Sequence, residues 1–166
     1  MPMKIADLLT ALADAEIDFV VVGGFAMQMH GFQRATYDVD VALAMNEGNL
    51  EKFVSFASHH RLSPVIPEPL ASLKDATMLD AWFREKGMVA FALRAPDDFV
   101  LDVLIRPVVD FAALRANAVH GSLHGRSFLF AGLDEMLVMK RAAARPKDEI
   151  DIIALNKIKR GENPND

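Results

Sequence analysis

The sequence predicts an α/β (α+β) architecture: one mixed β-sheet flanked by helices, with a helical segment after it. Three patterns lead there. Short runs rich in β-branched and aromatic residues, such as Phe19-Val20-Val21-Val22, are bounded by glycine or turn residues. Apolar residues recur at helical spacing between these runs. Strands and helices do not alternate strictly, because strand-like runs at residues 88–93 and 99–105 follow one another directly. A purely parallel, doubly wound sheet is therefore disfavoured.

The elements follow in chain order. Residues 4–16 set Ile5, Leu8, Leu9, Leu12 and Ala15 on one helical face. Phe19 to Val22 reads as a buried strand closed by Gly23-Gly24. A short helix from Phe25 to His30 ends at Gly31. From Tyr37 to Leu43 polar and apolar residues alternate, giving a strand with one polar face. Asn46 can cap a helix that carries Leu50, Phe53, Val54 and Ala57. Pro64, Pro67 and Pro69 mark a loop, and a helix is expected over 72–86. Met88 to Leu93 and Phe99 to Ile105 read as strands joined by the turn Ala95-Pro96-Asp97-Asp98. A helix over 110–118, strands over 119–125 and 126–130, and a helix over 133–144 complete the middle. Pro146 suits the first position of a last helix reaching about Lys159. A polar tail starts at Gly161. One domain is expected over 1–166, with its core at 17–106 and a helical segment at 132–160.

Composition bounds the chemistry. A chain of 166 residues with 52 % hydrophobic residues is long enough for its own core. Its formal net charge of −5 excludes a protein that coats nucleic acid through a broad basic surface, yet leaves room for a small basic groove. The absence of cysteine excludes disulfide frameworks, thiolate zinc sites and a cysteine nucleophile. No apolar run is long enough for a membrane span, and the first ten residues lack a signal-peptide pattern, so a cytoplasmic protein is expected.

The chemistry concentrates in one stretch. Asp38 and Asp40 are two apart on the predicted strand, so both side chains point to the same face. Adjacent carboxylates repel unless neutralised, and a hard divalent cation with oxygen ligands does this. Gly23-Gly24 permits a tight strand-to-helix turn whose following backbone N–H groups can face an anion. An anion cradle beside paired carboxylates suggests nucleotide phosphate plus metal. Asp102 lies in the otherwise apolar run Phe99 to Ile105, where a lone charge is costly unless paired or metal-bound. If that strand neighbours the Asp38/Asp40 strand, three acids can serve two-metal phosphoryl transfer, or Asp102 can act as general base. An edge-strand charge or a salt bridge is the alternative for Asp102.

The combination Gly23-Gly24-x-Ala26…His30-Gly31-x-x-Arg34-x-Thr36-x-Asp38-x-Asp40, with the later Asp102, resembles the polymerase β-like nucleotidyltransferase superfamily. Within it, the extended motif is similar to the nucleotidyltransferase toxins of abortive-infection, type IV toxin–antitoxin systems. Lys140 and the run Arg145-Pro146-Lys147-Asp148-x-x-Asp151-Ile152-x-x-Leu155 resemble the terminal segment of those proteins. The similarity spans residues 20–43, 101–104 and 133–155; residues 44–96 carry no motif. Many members have serine where this chain has Gly24, so no hydroxyl is offered there.

The resemblance implies metal-dependent transfer of a nucleoside monophosphate from an NTP to a hydroxyl on a protein, a tRNA or a small molecule. Asp38, Asp40 and Asp102 would be the catalytic, metal-binding acids for Mg²⁺ or Mn²⁺. Gly23, Gly24, Arg34, Thr36 and Lys147 would contact the nucleotide. A cognate antitoxin is an implied partner. Two other readings stand beside this one: a catalytically idle nucleotide-binding module, and a toxin–antitoxin protein acting through its partner. At residue level Arg34 can meet phosphate or pair with an Asp, and Thr36 can simply satisfy its strand edge. Lys140 and Lys147 can meet phosphate or form ion pairs on the helix surface, Lys147 with Asp151 four residues on. Asp148 and Asp151 are expected to orient basic residues. His30 is expected to be structural or to donate a hydrogen bond toward the carboxylates.

Overall fold

The computed structural model describes residues 4–166. Phe19 to Val22 are all buried, and they form the interior strand β1 (Phe19–Val22). Its neighbours are β2 (Asp38–Leu43), β3 (Ser63–Pro64), β4 (Ala90–Arg94), β5 (Val100–Leu104), β6 (Val119–Leu123) and β7 (Arg126–Phe130). They make one seven-stranded sheet in the order β3-β4-β5-β2-β1-β7-β6. The β2–β5 and β1–β7 pairs are parallel and the others antiparallel, so the sheet is mixed, as the strand spacing implied.

Seven α-helices accompany the sheet among the described residues: α1 (Ile5–Asp14), α2 (Gly23–Met29), α3 (Glu47–His59), α4 (Ala76–Lys86), α5 (Phe111–Ala116), α6 (Leu133–Ala143) and α7 (Pro146–Lys159). The apolar stripe of α1 puts Leu8, Leu9 and Leu12 wholly inside, where they join Val41, Phe53, Phe91, Leu101 and Val103 in one core. Asn46 caps α3 by accepting from the Asn49 N–H at 2.9 Å, as its position predicts. Pro146 opens α7. Asn49 is buried, and its side chain bonds Asp18 N–H at 2.8 Å, Asp18 C=O at 2.9 Å and Ala44 C=O at 2.9 Å. It thereby ties α3 to the backbone just outside β1 and β2.

The structure departs from the sequence reading in four places. Helix α2 starts at Gly23 itself, not at Phe25. Helix α4 starts at Ala76 rather than at residue 72, because Asp75 caps it by accepting from the Met78 N–H at 3.0 Å. A 3₁₀ turn (Leu70–Lys74) precedes that cap. The proline-marked loop contributes β3, a two-residue edge strand paired with Leu93 and Arg94. The polar tail is held down: Asn165 accepts from the Gln33 N–H at 2.7 Å and donates to the Gly31 carbonyl at 3.1 Å. No helix of the described residues is long and apolar enough to cross a membrane.

Candidate active site

The register of the central strands assembles the acids. In the parallel β2–β5 pair, Asp40 lies opposite Asp102 and Asp38 opposite Val100. Paired residues share a sheet face, and so do residues two apart on one strand. Asp38, Asp40 and Asp102 therefore project together, although Asp102 is separated from Asp40 by 62 positions in sequence. On the other side of β2, Val22 is the register partner of Asp40, which brings the Gly23-Gly24 turn beside the acids.

Gly23 is required twice over. Its φ is +68°, and a Cβ there would lie 2.1 Å from Asp40 Oδ2. A Cβ on Gly24 would meet Thr36 Oγ1 at 3.0 Å and Arg34 Cζ at 3.9 Å. The Thr36 hydroxyl thus stands beside Gly24, where this chain offers no side-chain hydroxyl of its own. It donates to the Asp38 carbonyl at 2.9 Å, which also fixes the approach to β2.

A cleft of about 410 Å³ opens over these groups. Its lining includes all eight residues singled out from the sequence: Gly23, Gly24, Arg34, Thr36, Asp38, Asp40, Asp102 and Lys147. Arg106, Lys140 and Arg145 also face it, together with Met136 and Met139 of α6. Five cations therefore surround three carboxylates in an otherwise acidic protein.

Burial raises the Asp40 carboxyl to about 7, reinforced by the negative charge of Asp102, by a hydrogen bond shared with it, and by Asp38; Lys140 opposes the rise. Asp102 is likewise raised, first by burial and then by Asp38, against the shared hydrogen bond. Both shifts have one cause, two crowded carboxylates that disfavour carrying two full negative charges side by side. Among the described residues no three Asp, Glu, His or Cys side chains form a ready-made cation cage. The donor set still suits a hard divalent ion, because Mg²⁺ keeps waters and substrate phosphates in its shell and needs only one or two carboxylates.

Helix α7 supplies buried anions to hold the cations. Asp148 is wholly buried and Asp151 nearly so, as a pair that orients basic residues. Asp151 bonds Arg34 and takes Lys140 at 2.8 Å. Asp148 accepts from Arg145 Nε at 2.8 Å, Nη2 at 3.2 Å and the backbone N–H at 3.0 Å. Burial alone would raise Asp148, but these Arg145 contacts and Lys140 hold it down to about 2. Arg34 thus lines the cleft and pairs with an Asp, both at once. Lys147 does not pair with Asp151 four residues on; it faces the cleft with no ion pair among the described residues. Arg145 and Arg106 were not singled out as contacts, and Lys140 was weighed as a phosphate contact but read as an ion-pair partner, which it is. For Lys140 and Arg145 the signal was present, since both sit in the quoted terminal motif.

His30 does not reach the carboxylates. Its Nε2 lies 2.7 Å from the Ala131 carbonyl, and its ring packs edge-on against Phe130 at 4.9 Å. Burial pushes the imidazole below its usual value, against that backbone bond. The ring therefore braces the start of α6 from the end of α2.

No protein-family model and no curated protein sequence matches the chain. Solved structures do. The lincomycin-bound crystal structure of the lincosamide antibiotic adenylyltransferase LnuA aligns with a TM-score of 0.60 at 14 % identity, over 91 % of this chain and 93 % of that one. The solution structure of the antibiotic-resistance factor ANT(2'')-Ia aligns with a TM-score of 0.58 at 12 % identity, over 93 % of this chain and 80 % of that one. Its crystal structure in complex with adenylyl-2''-tobramycin gives 0.57 at 12 % identity, over 93 % and 86 %. The mixed sheet and its helices are the nucleotidyltransferase fold that these antibiotic-modifying proteins share.

Proposed function

We propose that the protein transfers a nucleoside monophosphate from an NTP to a hydroxyl acceptor. The observation that carries this reading is the register match of Asp40 with Asp102, with Asp38 on the same face, inside a cleft ringed by Arg34, Lys140, Arg145 and Lys147. Acids beside a cationic ring suit a triphosphate and its metal; neither half alone does. In the reaction the acceptor oxygen attacks the α-phosphorus and forms the new O–P bond. The bond from that phosphorus to the β-phosphate oxygen breaks, and pyrophosphate leaves with the electron pair. The acceptor proton passes to the Asp102 carboxylate, which projects beside Asp40 on the same sheet face and serves as general base where it is not itself a metal ligand.

Asp38 and Asp40 would hold Mg²⁺ or Mn²⁺, and Asp102 would either complete that site or take the acceptor proton. When bound, such an ion neutralises phosphate charge and stabilises the attacking and leaving oxygens. Gly23 and Gly24 leave the space that phosphate needs beside Asp40 and Thr36. Thr36 can turn its hydroxyl from the Asp38 carbonyl to a phosphate oxygen, so the missing serine does not by itself imply an idle site. Arg34, Lys140 and Arg145 are held in the cleft by Asp151 and Asp148, and Lys147 adds a further positive charge to its lining. Action as a toxin with a cognate antitoxin rests on sequence resemblance alone; growth arrest on expression, relieved by a neighbouring gene, is its test.

The decisive experiment incubates the protein with each α-labelled NTP, Mg²⁺ or Mn²⁺ and cell extract, then separates labelled protein, RNA and small molecules. Metal-dependent label transfer is expected, and it should vanish in the Asp38→Asn, Asp40→Asn double variant. Equal transfer by that variant would remove the assignment. Binding of NTP without transfer to any fraction would identify an idle module.

A further inference from the structure

The cleft has two chemically different ends. The strand order β4-β5-β2-β1 puts the Gly23-Gly24 turn on one side of the acids and the β4–β5 pair on the other. On the β4–β5 side the lining is Val89, Leu104, Arg106, Pro107 and Val108. Val89 is 56 % exposed and Val108 65 % exposed, so both offer apolar surface to whatever enters. Among the described residues, no carboxylate lines the cleft apart from Asp38, Asp40 and Asp102.

Arg106 closes this end. Leu104 follows Asp102 by two positions at the end of β5, and Arg106 lies just beyond the strand, where the backbone bends and its side chain lines the same cleft. The Arg106 guanidinium lies over the Phe83 ring at 4.9 Å and bonds Asp80. Asp80 also accepts from Arg84 at 2.8 Å. One carboxylate thus serves two guanidiniums, leaving a net positive corner. Arg106 retains N–H donors beyond the one given to Asp80.

Resting on the nucleotidyl-transfer reading above, we propose that the acceptor is a hydroxyl compound with an apolar body and an anionic far end. Its hydroxyl sits at Asp102, its body lies across Leu104, Val89 and Val108, and its anion meets Arg106. A polycationic acceptor is disfavoured by the same charges, since the cleft lining also carries Arg106, Lys140, Arg145 and Lys147. The fold is shared with a protein solved with adenylyl-2''-tobramycin. The acceptor end of this cleft is built for the opposite charge.

The test is a binding titration on the full chain with Mn²⁺ and α,β-methylene ATP. The probes are ω-hydroxydecanoate, its cationic counterpart ω-aminodecanol, and tobramycin. The carboxylate probe should bind at least about tenfold more tightly than the amine, the size expected for one charge-assisted pair. Arg106→Glu should reverse that order, and Arg106→Gln should bring the two probes together; Arg106 is half-exposed, and circular dichroism checks that both variants fold. Equal or tighter binding of the amine or of tobramycin overturns the inference. So does absent binding of the carboxylate, or an unchanged order in Arg106→Glu. A titration with Mn²⁺ and α,β-methylene ATP alone, run first, separates the two readings. Without nucleotide binding the proposed function itself falls; with nucleotide binding but no anion preference, only the acceptor assignment falls.

Discussion

Gly23 shows how little room the site leaves. An alanine there must hold a left-handed backbone and push its methyl into the Asp40 carboxylate. Gly23→Ala should lose about 1–3 kcal/mol of stability in urea unfolding, from the backbone alone. Label transfer should fall further than that loss explains, because Asp40 has to move. Wild-type transfer by a folded Gly23→Ala protein would show that Asp40 can shift freely. Asp40 itself sets a pH dependence. Its folded carboxyl titrates near 7, above the ordinary value of 3.8. Between those values the native state keeps a proton that the unfolded chain has released, so stability falls as pH rises through this window. In EDTA, the melting temperature should drop from pH 5 to pH 8, and Asp40→Asn should flatten the drop. A melting temperature that rises over that range in wild type would contradict the crowding of Asp40 and Asp102.

Helix α7 acts as a scaffold for charges that belong to other elements. Asp151 serves Arg34 from the loop before β2 and Lys140 from α6, while Asp148 serves Arg145 at the start of α7 and approaches Lys140 at 3.5 Å. Removing one partner from a buried ion pair costs roughly 3–5 kcal/mol, since the other charge stays buried and unpaired. Asp151→Ala should approach that loss by urea unfolding. Asp151→Asn, which keeps a hydrogen-bond acceptor, should mainly raise the KM for NTP by loosening Arg34 and Lys140. An unaltered KM in both would make the pair purely structural. Asp148 has the opposite pH sign to Asp40: held down to about 2, it stabilises above 3.8 and loses that contribution as pH falls through 2. The identities of these anions were legible, because their three-residue spacing and the helix-opening Pro146 fix one face of a helix. Their pairing with Arg34 was not, since Arg34 lies 117 positions from Asp151. The same holds for Asn165, whose two bonds to residues 31–33 no local pattern announces. Helix α4 and β3 were misplaced for a local reason: the Asp75 cap and the prolines before it admit a 3₁₀ turn that apolar periodicity does not separate from α-helix.

At the scale of the whole molecule, the site is a property of the sheet. Periodicity made the strands visible, and the i, i+2 spacing made Asp38 and Asp40 neighbours; the pairing of Asp40 with Asp102 needed the β2–β5 register, which only the assembled sheet fixes. The acceptor side was illegible for a related reason, since Val89, Arg106 and Val108 become a wall only when the strand order brings them round the cleft. We propose that the chain melts as one unit, because ion pairs join α7 to α6 and to the loop preceding β2. A ligand that spans β1, β2, β5 and α6 should then stabilise the entire transition rather than one lobe. At a hundredfold excess over Kd, binding to the native state adds about 2.7 kcal/mol. For a chain of this size each kcal/mol shifts the melting temperature by roughly 2–4 °C. Mn²⁺ with a non-hydrolysable NTP at pH 8 should therefore raise a single transition by about 5–11 °C, by calorimetry. At pH 5 the shift should shrink, because Asp40 then holds a proton that the metal must displace. The Asp38→Asn, Asp40→Asn variant should show little shift at either pH. Two separately moving transitions would instead mean that the helical segment folds apart from the sheet.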